Sequence, residues 1–116
     1  MKRALYTALL LLTTGCSHAL TPYDVKATRL TEVAALPSEY RVAAVAAAAY
    51  LKGKGEEPSE FYVSDISRKT KIIVLPLWHE SAFKLKEPVL GNPGGKCRNL
   101  EYDTDSKRIA SELFWQ

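Results

Sequence analysis

The spacing of hydrophobic residues changes along the chain. From Tyr40 to Leu51 they recur every three or four residues, as in a helix, and from Phe61 they alternate with polar residues, as in a strand. Residues 38–51 are rich in alanine, the best helix former. Ser38 is a candidate N-cap, and Gly53 and Gly55 supply the stop. The apolar stripe of this predicted helix consists of Tyr40, Ala44, Ala47 and Leu51, flanked by Val42, Val45 and Ala49. The spacing therefore predicts one long helix that approaches a sheet through small side chains.

Four segments after the helix predict strands, at residues 61–66, 71–78, 96–102 and 107–115. Polar residues 67–70 and 103–106 predict two of the turns between them. Either face of the first strand could be the inner one, and Pro76 predicts an edge or a bulge because it has no N–H. In the last strand, alternation puts Ile109, Leu113 and Trp115 on one face and Arg108, Ala110, Glu112 and Phe114 on the other.

A helix followed by successive strands predicts an α+β fold, with one long helix packed on a roughly four-stranded antiparallel sheet. The predicted single domain covers residues 26–116, and its first part, 26–36, fits either a short helix or an extended segment. Over residues 36–116 the arrangement resembles cystatin-like and NTF2-like domains. A strand that ends near Trp78, followed by Gly94 and Gly95 before a terminal hairpin with a polar turn, resembles NTF2-fold immunity proteins.

The first sixteen residues resemble a bacterial lipoprotein signal. Lys2 and Arg3 precede a leucine-rich apolar run that is too short to span a bilayer, and a small residue stands before Cys16. The resemblance implies a signal peptide over residues 1–15, cleavage before Cys16, and lipid on that cysteine, followed by a tether over residues 16–25. The lipobox usually has leucine where Thr13 stands, which leaves an ordinary secretory signal open. By the same resemblance, Ser17 implies sorting to the outer membrane, facing the periplasm.

Charge and cysteine usage narrow the function classes. Without Lys2 and Arg3, the 16 basic residues become 14 against 13 acidic ones, a net charge of +1. Such a balance does not predict a nucleic-acid-binding protein, which needs a basic face or stripe. If Cys16 carries lipid, no second cysteine remains with which Cys97 could form an intramolecular disulfide, and we expect Cys97 to be a buried apolar side chain. An intermolecular disulfide, or a Cys16–Cys97 pair after ordinary cleavage, stays open.

Candidate catalytic and metal-binding residues are few. His79 and Glu80 are adjacent on a predicted strand and therefore point to opposite faces. A dyad of Cys97 and His79 would give a thiol enzyme, which we rank below the non-catalytic interpretations. The only other histidine, His18, lies in the predicted tether, so the sequence predicts no metal site and no cofactor.

Aromatic residues near the last strand are the stronger candidates for function. Phe114 and Trp115 must point to opposite faces of one strand, so a one-sided core can cover only one of them. The other ring is either exposed as an anchor for a protein partner or covered by the loop at residues 83–90. The candidate partner-binding residues are Trp78, His79, Phe83, Lys96, Phe114 and Trp115. The sequence thus predicts a non-enzymatic, lipid-anchored envelope protein that binds another protein, with an immunity protein against a periplasm-acting toxin as the favoured class. The alternative is a structural or assembly lipoprotein of an envelope complex.

Overall fold

The computed structural model describes residues 20–84, 91–92 and 95–116. The predicted signal peptide, Cys16 and the first residues of the predicted tether lie outside these ranges, as does Gly94. The strands are β1 (Thr28–Arg29), β2 (Phe61–Val63), β3 (Ser67–Lys69), β4 (Ile72–His79), β5 (Arg98–Asp103) and β6 (Arg108–Phe114), and the α-helices are α1 (Leu30–Ala35) and α2 (Arg41–Gly53). Short 3-10 helices, Pro58–Glu60 and Glu80–Lys84, precede β2 and follow β4. The α+β class is confirmed.

The described strands form one antiparallel sheet in the order β1-β2-β4-β5-β6, with β3 paired to β4 beside β2. The sheet therefore has six strands in the described ranges, where the pattern predicted about four. The ambiguous segment 26–36 contains both candidate structures, because the short strand β1 leads directly into α1. The helix α1 ends before Leu36, whose extended backbone (ψ 146°) agrees with its place before Pro37.

The predicted turn at residues 67–70 is wrong, because Ser67–Lys69 is β3 and the turn consists of Thr70 and Lys71. All three β3 residues are exposed, so no apolar alternation marks the strand in the sequence. Pro76 lies where the partners of β4 change from β2 to β3. Its carbonyl accepts the Ser64 N–H (3.2 Å) at this break. Because a strand residue directs its N–H and C=O to the same side, the N–H that proline lacks would also have pointed into the break. The prediction of an edge or a bulge on one side of β4 near Pro76 agrees with this gap between the β2 and β3 ladders.

The long helix α2 begins at Arg41, two residues later than an N-cap at Ser38 would place it. Its N-cap position is Tyr40, and Ser38 stabilises the preceding turn by accepting the Tyr40 N–H on Oγ (3.2 Å). The prediction that Ser38 is the N-cap is therefore wrong. The buried stripe contains Ala44, Ala47 and Leu51, as predicted, but its flank is Ala43; the predicted flanking residues Val42, Val45 and Ala49 are exposed.

A bulge in β6 changes which of its residues share a face. Glu101 pairs with Ser111, whereas Tyr102 pairs with Ile109, so Ala110 is the extra residue. Ile109 consequently lies on the same face as Glu112 and Phe114. The predicted grouping of Ile109 with Leu113 and Trp115 is wrong, because alternation holds only on each side of the bulge.

The helices cover one face of the sheet, which we call the inner face. Alternate residues of β2, β4 and β5 are buried there. The core consists of Leu30 from α1, Ala43, Ala44, Ala47 and Leu51 from α2, and Phe61, Val63, Ile73, Leu75, Leu77, Leu100 and Tyr102 from the sheet. Burial of apolar area is the main favourable contribution to folding. This core therefore holds the sheet against the helices and leaves its opposite face directed away from them.

One charged side chain, Arg98, belongs to this buried layer. It is 1% exposed and lies between the rings of Phe61 and Phe114, with its guanidinium carbon 5.2 and 4.4 Å from the ring centroids. Two carboxylates bind it: Glu56 accepts from both Nη1 (2.6 Å) and Nη2 (2.8 Å), and Glu112 accepts from Nη1 (2.8 Å). Such bidentate, charge-assisted pairs are among the strongest hydrogen bonds in proteins.

Glu112 connects this pair to α2. Its other oxygen accepts from Lys54 Nζ (2.7 Å) and from the Tyr50 hydroxyl (2.9 Å). We call Arg98, Glu56, Glu112, Lys54 and Tyr50 the Arg98 network; its two cations and two carboxylates balance. Burial acts to raise the pKa of Glu112, but the hydrogen bonds from Lys54, Tyr50 and Arg98 outweigh it and hold that pKa below its ordinary value.

Replacing Arg98 tests the network. Arg98→Met keeps an unbranched chain between the two rings but leaves Glu56 and Glu112 without their shared cation. Removing one partner of a buried pair costs about 3–5 kcal/mol, and the partial exposure of Glu56 places the expected loss near the lower limit, about 3 kcal/mol. Urea unfolding measures this loss. Arg108→Met, at an exposed position of β6, is the control and should change stability by less than about 0.5 kcal/mol. Equal stability of Arg98→Met and wild type would show that the Arg98 network does not stabilise the fold.

The lowered pKa of Glu112 predicts a pH dependence. A carboxyl whose pKa is lower in the folded state stabilises the fold above its unfolded pKa, and this contribution is lost as the pH falls through the folded value. Wild type should therefore exceed Glu112→Gln in stability at about pH 7, and this advantage should shrink as the pH falls below the usual range of glutamate, to about pH 3. Urea unfolding at both pH values gives the difference. Glu39→Gln, which makes the same substitution at an exposed position outside the Arg98 network, is the control; a constant gap for Glu112→Gln would refute the assignment.

Candidate functional site

The face of the sheet opposite the helices, the outer face, carries a group of aromatic rings. Tyr62 of β2 pairs with Trp78 of β4, and strand alternation places both on this face. Phe83 reaches it from the 3-10 helix after β4, and Trp115 follows β6. We call Tyr62, Trp78, Phe83 and Trp115 the aromatic cluster. All four side chains are half-buried.

The rings of the cluster contact one another in sequence. Trp115 meets Trp78 edge-on, with centroids 5.0 Å apart, and Trp78 stacks on Phe83 at 5.6 Å and an interplanar angle of 23°. Phe83 in turn meets Tyr62 edge-on at 5.4 Å. Offset-stacked and edge-to-face pairs are the favoured aromatic geometries. The four rings therefore form one continuous apolar surface.

Both indoles are held in place by hydrogen bonds. Trp78 Nε1 donates to Ser64 Oγ (2.8 Å), and Trp115 Nε1 donates to Asn99 Oδ1 (2.8 Å). Asn99 lies on the outer face because its strand neighbour Arg98 points to the inner one. Since each indole N–H is already bonded within the protein, the rings present mainly carbon to a ligand. They are also oriented before any partner arrives.

Arg29 of β1 supplies the polar end of this surface. Its guanidinium carbon lies 4.7 Å from the Tyr62 ring centroid, and Nη2 donates to the Tyr62 hydroxyl (2.6 Å). Nη1 donates to the backbone carbonyl of Ser59. The sequence did not predict a role for Arg29 or Tyr62, because their contact depends on the pairing of β1 with β2, about thirty positions away along the chain. The alternation of Tyr62 with Phe61 and Val63 was the one available signal.

Three of the predicted partner-binding residues meet in the cluster, namely Trp78, Phe83 and Trp115. His79 does not, because it points to the inner face and is 6% exposed. Phe114 also lies on the inner side, where it covers Arg98 and remains 45% exposed. Lys96 is exposed before β5, and its carbonyl accepts from Arg98 Nε (3.0 Å). The prediction that Phe114 and Trp115 point to opposite faces is confirmed.

Both ring nitrogens of His79 have partners. Nδ1 accepts the Ser81 backbone N–H (3.1 Å) and lies 2.8 Å from Ser81 Oγ, so the network assigns the proton to Nε2, which is 3.0 Å from Glu60 Oε1. His79 thus ties the end of β4 to the 3-10 helices on either side. Its ring edge also meets Phe61, with centroids 4.9 Å apart.

Cys97 is fully buried, as the sequence predicted. Burial raises the pKa of its thiol, and a hydrogen bond from the His79 backbone and the charge of Arg98 offset this only in part. A raised pKa disfavours the thiolate, the nucleophilic form of cysteine. The local environment therefore does not activate Cys97.

Residues 20–84, 91–92 and 95–116 offer neither a metal-binding cluster nor a membrane-spanning helix. They contain no group of three or more His, Cys, Asp or Glu side chains that could hold a metal ion. No helix within them is both long and apolar enough to cross a membrane. Comparison with protein-family models, curated proteins and solved structures found no match to this chain.

Proposed function

We propose that this protein is a lipid-anchored envelope protein that works by binding another protein through the aromatic cluster on its outer face. The observation that carries the proposal is the cluster itself: four contacting rings on a face that neither α1 nor α2 covers. Aromatic residues are enriched at the centres of protein interfaces and among the residues that dominate binding energy.

The fixed orientation of the rings supports this proposal further. Ordering mobile side chains on binding costs free energy, so rings that are already held lose less. Here Ser64 and Asn99 hold the two indoles, and Arg29 holds Tyr62. The guanidinium at one end of an otherwise apolar surface would provide the polar rim typical of a protein interface.

The membrane anchor in this proposal depends on the sequence of residues 1–16. With lipid on Cys16, the domain would face the periplasm from the outer membrane. The favoured role is that of an immunity protein, in which the aromatic cluster covers the active site of a toxin. The sequence pattern of a helix, a strand that ends near Trp78, and Gly94 and Gly95 before a terminal hairpin resembles NTF2-fold immunity proteins, which supports this choice over a structural or assembly lipoprotein.

The two roles differ in what the bound partner does. An immunity protein should abolish the activity of an enzyme that is toxic in the periplasm, whereas an assembly lipoprotein should bind a resident component of the envelope and inhibit nothing. A toxin or secretion gene next to this one would favour immunity. Identifying the captured partner and assaying its activity with and without this protein separates the roles.

Substitutions in the aromatic cluster test the binding surface. Trp115→Ala removes the half-buried ring at one end of the cluster, and we expect it to weaken partner binding by about 2 kcal/mol, or roughly 30-fold, as is typical of an aromatic residue that dominates an interface. Partners are captured from envelopes with full-length protein, and their affinity is then measured by titration. Val45→Ala, on the exposed side of α2, is the matched control and should bind like wild type. Unfolding curves verify that both variants fold; equal binding by both would refute the surface.

Replacing Cys16 tests the anchor separately. In wild type, mass spectrometry of the processed N-terminal peptide should show Cys16 with fatty acyl groups, and the protein should fractionate with membranes. Cys16→Ser should remain unacylated and leave the membrane fraction, because acyl chains contribute about 0.8 kcal/mol per buried methylene to membrane binding. An unacylated Cys16 in the wild-type protein would exclude the lipoprotein assignment and leave the aromatic surface untouched.

A further inference from the structure

The strand β6 is an open edge of the sheet in the part of the chain that the structure describes, since its only neighbour there is β5. Two of the large apolar side chains exposed on the molecule lie at its end, Leu113 (57% exposed) and Phe114 (45%). Proteins usually protect such edges with lysine, proline or a bulge. The bulge of β6 lies at Ala110, and residues 111–114 beyond it contain neither lysine nor proline.

The hydrogen-bond pattern determines which backbone groups face away from the sheet. The Trp115 N–H donates to the Cys97 carbonyl (3.1 Å), so these two residues face each other as a hydrogen-bonded pair. Because such pairs alternate along antiparallel strands, Leu113 also directs its backbone groups to β5. Glu112 and Phe114, in between, direct their N–H and C=O groups outward, where another strand could bind them.

We propose that this edge binds a second copy of the same chain, with the two β6 strands antiparallel about a two-fold axis at Leu113. In this register Glu112 of each copy lies opposite Phe114 of the other. Every outward N–H of these two residues then meets an outward carbonyl. Leu113 lies opposite its own copy on the outer face, so one exposed apolar side chain covers the other.

Charge favours this register over its neighbours. Glu112 is already bonded to Lys54, Tyr50 and Arg98 within its own copy, and here it would lie beside an aromatic ring. An axis at Glu112 would instead place two carboxylates opposite each other, which destabilises a strand pair. The register at Leu113 avoids this opposition.

Shape excludes the two remaining registers. An axis at Ser111 would bring the bulge at Ala110 into the pairing. An axis at Phe114 would need the backbone of Gln116, which Gly91 already approaches so closely that a Cβ there would lie 2.1 Å from the Gln116 carbonyl oxygen. The axis at Leu113 needs neither the bulged residue nor Gln116.

Cysteine substitution tests the register directly. At the two-fold axis the two residues 113 form a non-hydrogen-bonded pair, with Cα atoms about 4.5 Å apart, inside the range for a disulfide. Leu113→Cys in the full-length protein should therefore form a disulfide-linked dimer in envelopes. Ser111→Cys is the matched control on the same face, where the two Cα atoms would be roughly 13 Å apart at the usual rise per residue. Wild type, with Cys16 and Cys97, gives the background.

A second measurement does not depend on a new thiol. Leu113→Lys places a charge at the axis and should convert the detergent-purified dimer to a monomer in sedimentation, with its circular dichroism unchanged. A monomeric wild type, or no more crosslinking by Leu113→Cys than by Ser111→Cys, would overturn the proposal. Crosslinking of Leu113→Cys to a different protein would overturn it too and would show that a foreign strand binds the edge. Loss of partner binding in Trp115→Ala bears only on the aromatic cluster, so the two proposals fail independently.

Discussion

The buried guanidinium of Arg98 is the constraint on which the rest of the structure depends. A charge removed from water is tolerated only when its donors have partners, and here those partners come from different parts of the chain. Glu56 lies in the connector after α2, and Glu112 lies on β6. The rings of Phe61 and Phe114 complete the enclosure. The connector, β2 and β6 must therefore reach β5 together, which makes the sheet one cooperative unit with the helix above it.

The bulge at Ala110 reconciles two requirements on β6. At one end of the strand, Ile109 must lie over Tyr102 to extend the apolar core. At the other end, Glu112 must lie on that same inner face to reach Arg98. These two residues are three positions apart, so a regular strand would point them to opposite faces. One extra residue between them allows both contacts, at the expense of local ladder regularity.

Much of the fold follows from local sequence pattern, and what does not follow depends on distant pairing. The alanine-rich segment fits only a helix, and the apolar run around Ile73 fits only a strand, so α2 and β4 could be predicted. Ser67–Lys69 could not, because an exposed strand held mainly by its backbone has no apolar alternation. The bulge could not be predicted either. It is needed because Ile109 pairs with Tyr102 and Glu112 binds Arg98 on the same face, and both contacts depend on distant residues. In the aromatic cluster, Trp78, Phe83 and Trp115 stood out by residue type, whereas Arg29 acquires its place only through the pairing of β1 with β2.

The inner network also fixes the outer surface, because neighbouring residues on one strand serve opposite faces. On β5, Arg98 is buried on the inner face, and the next residue, Asn99, accepts the Trp115 indole N–H on the outer face. At the end of β6, Phe114 covers Arg98 on the inner side, and the next residue, Trp115, belongs to the aromatic cluster on the outer side. Slipping β6 against β5 by one residue would exchange the faces of every paired side chain. It would carry Glu112 away from the guanidinium and leave a buried charge without its carboxylate. The free-energy cost of that loss opposes the slip, so an ionic contact under the sheet holds the aromatic rings above it in register.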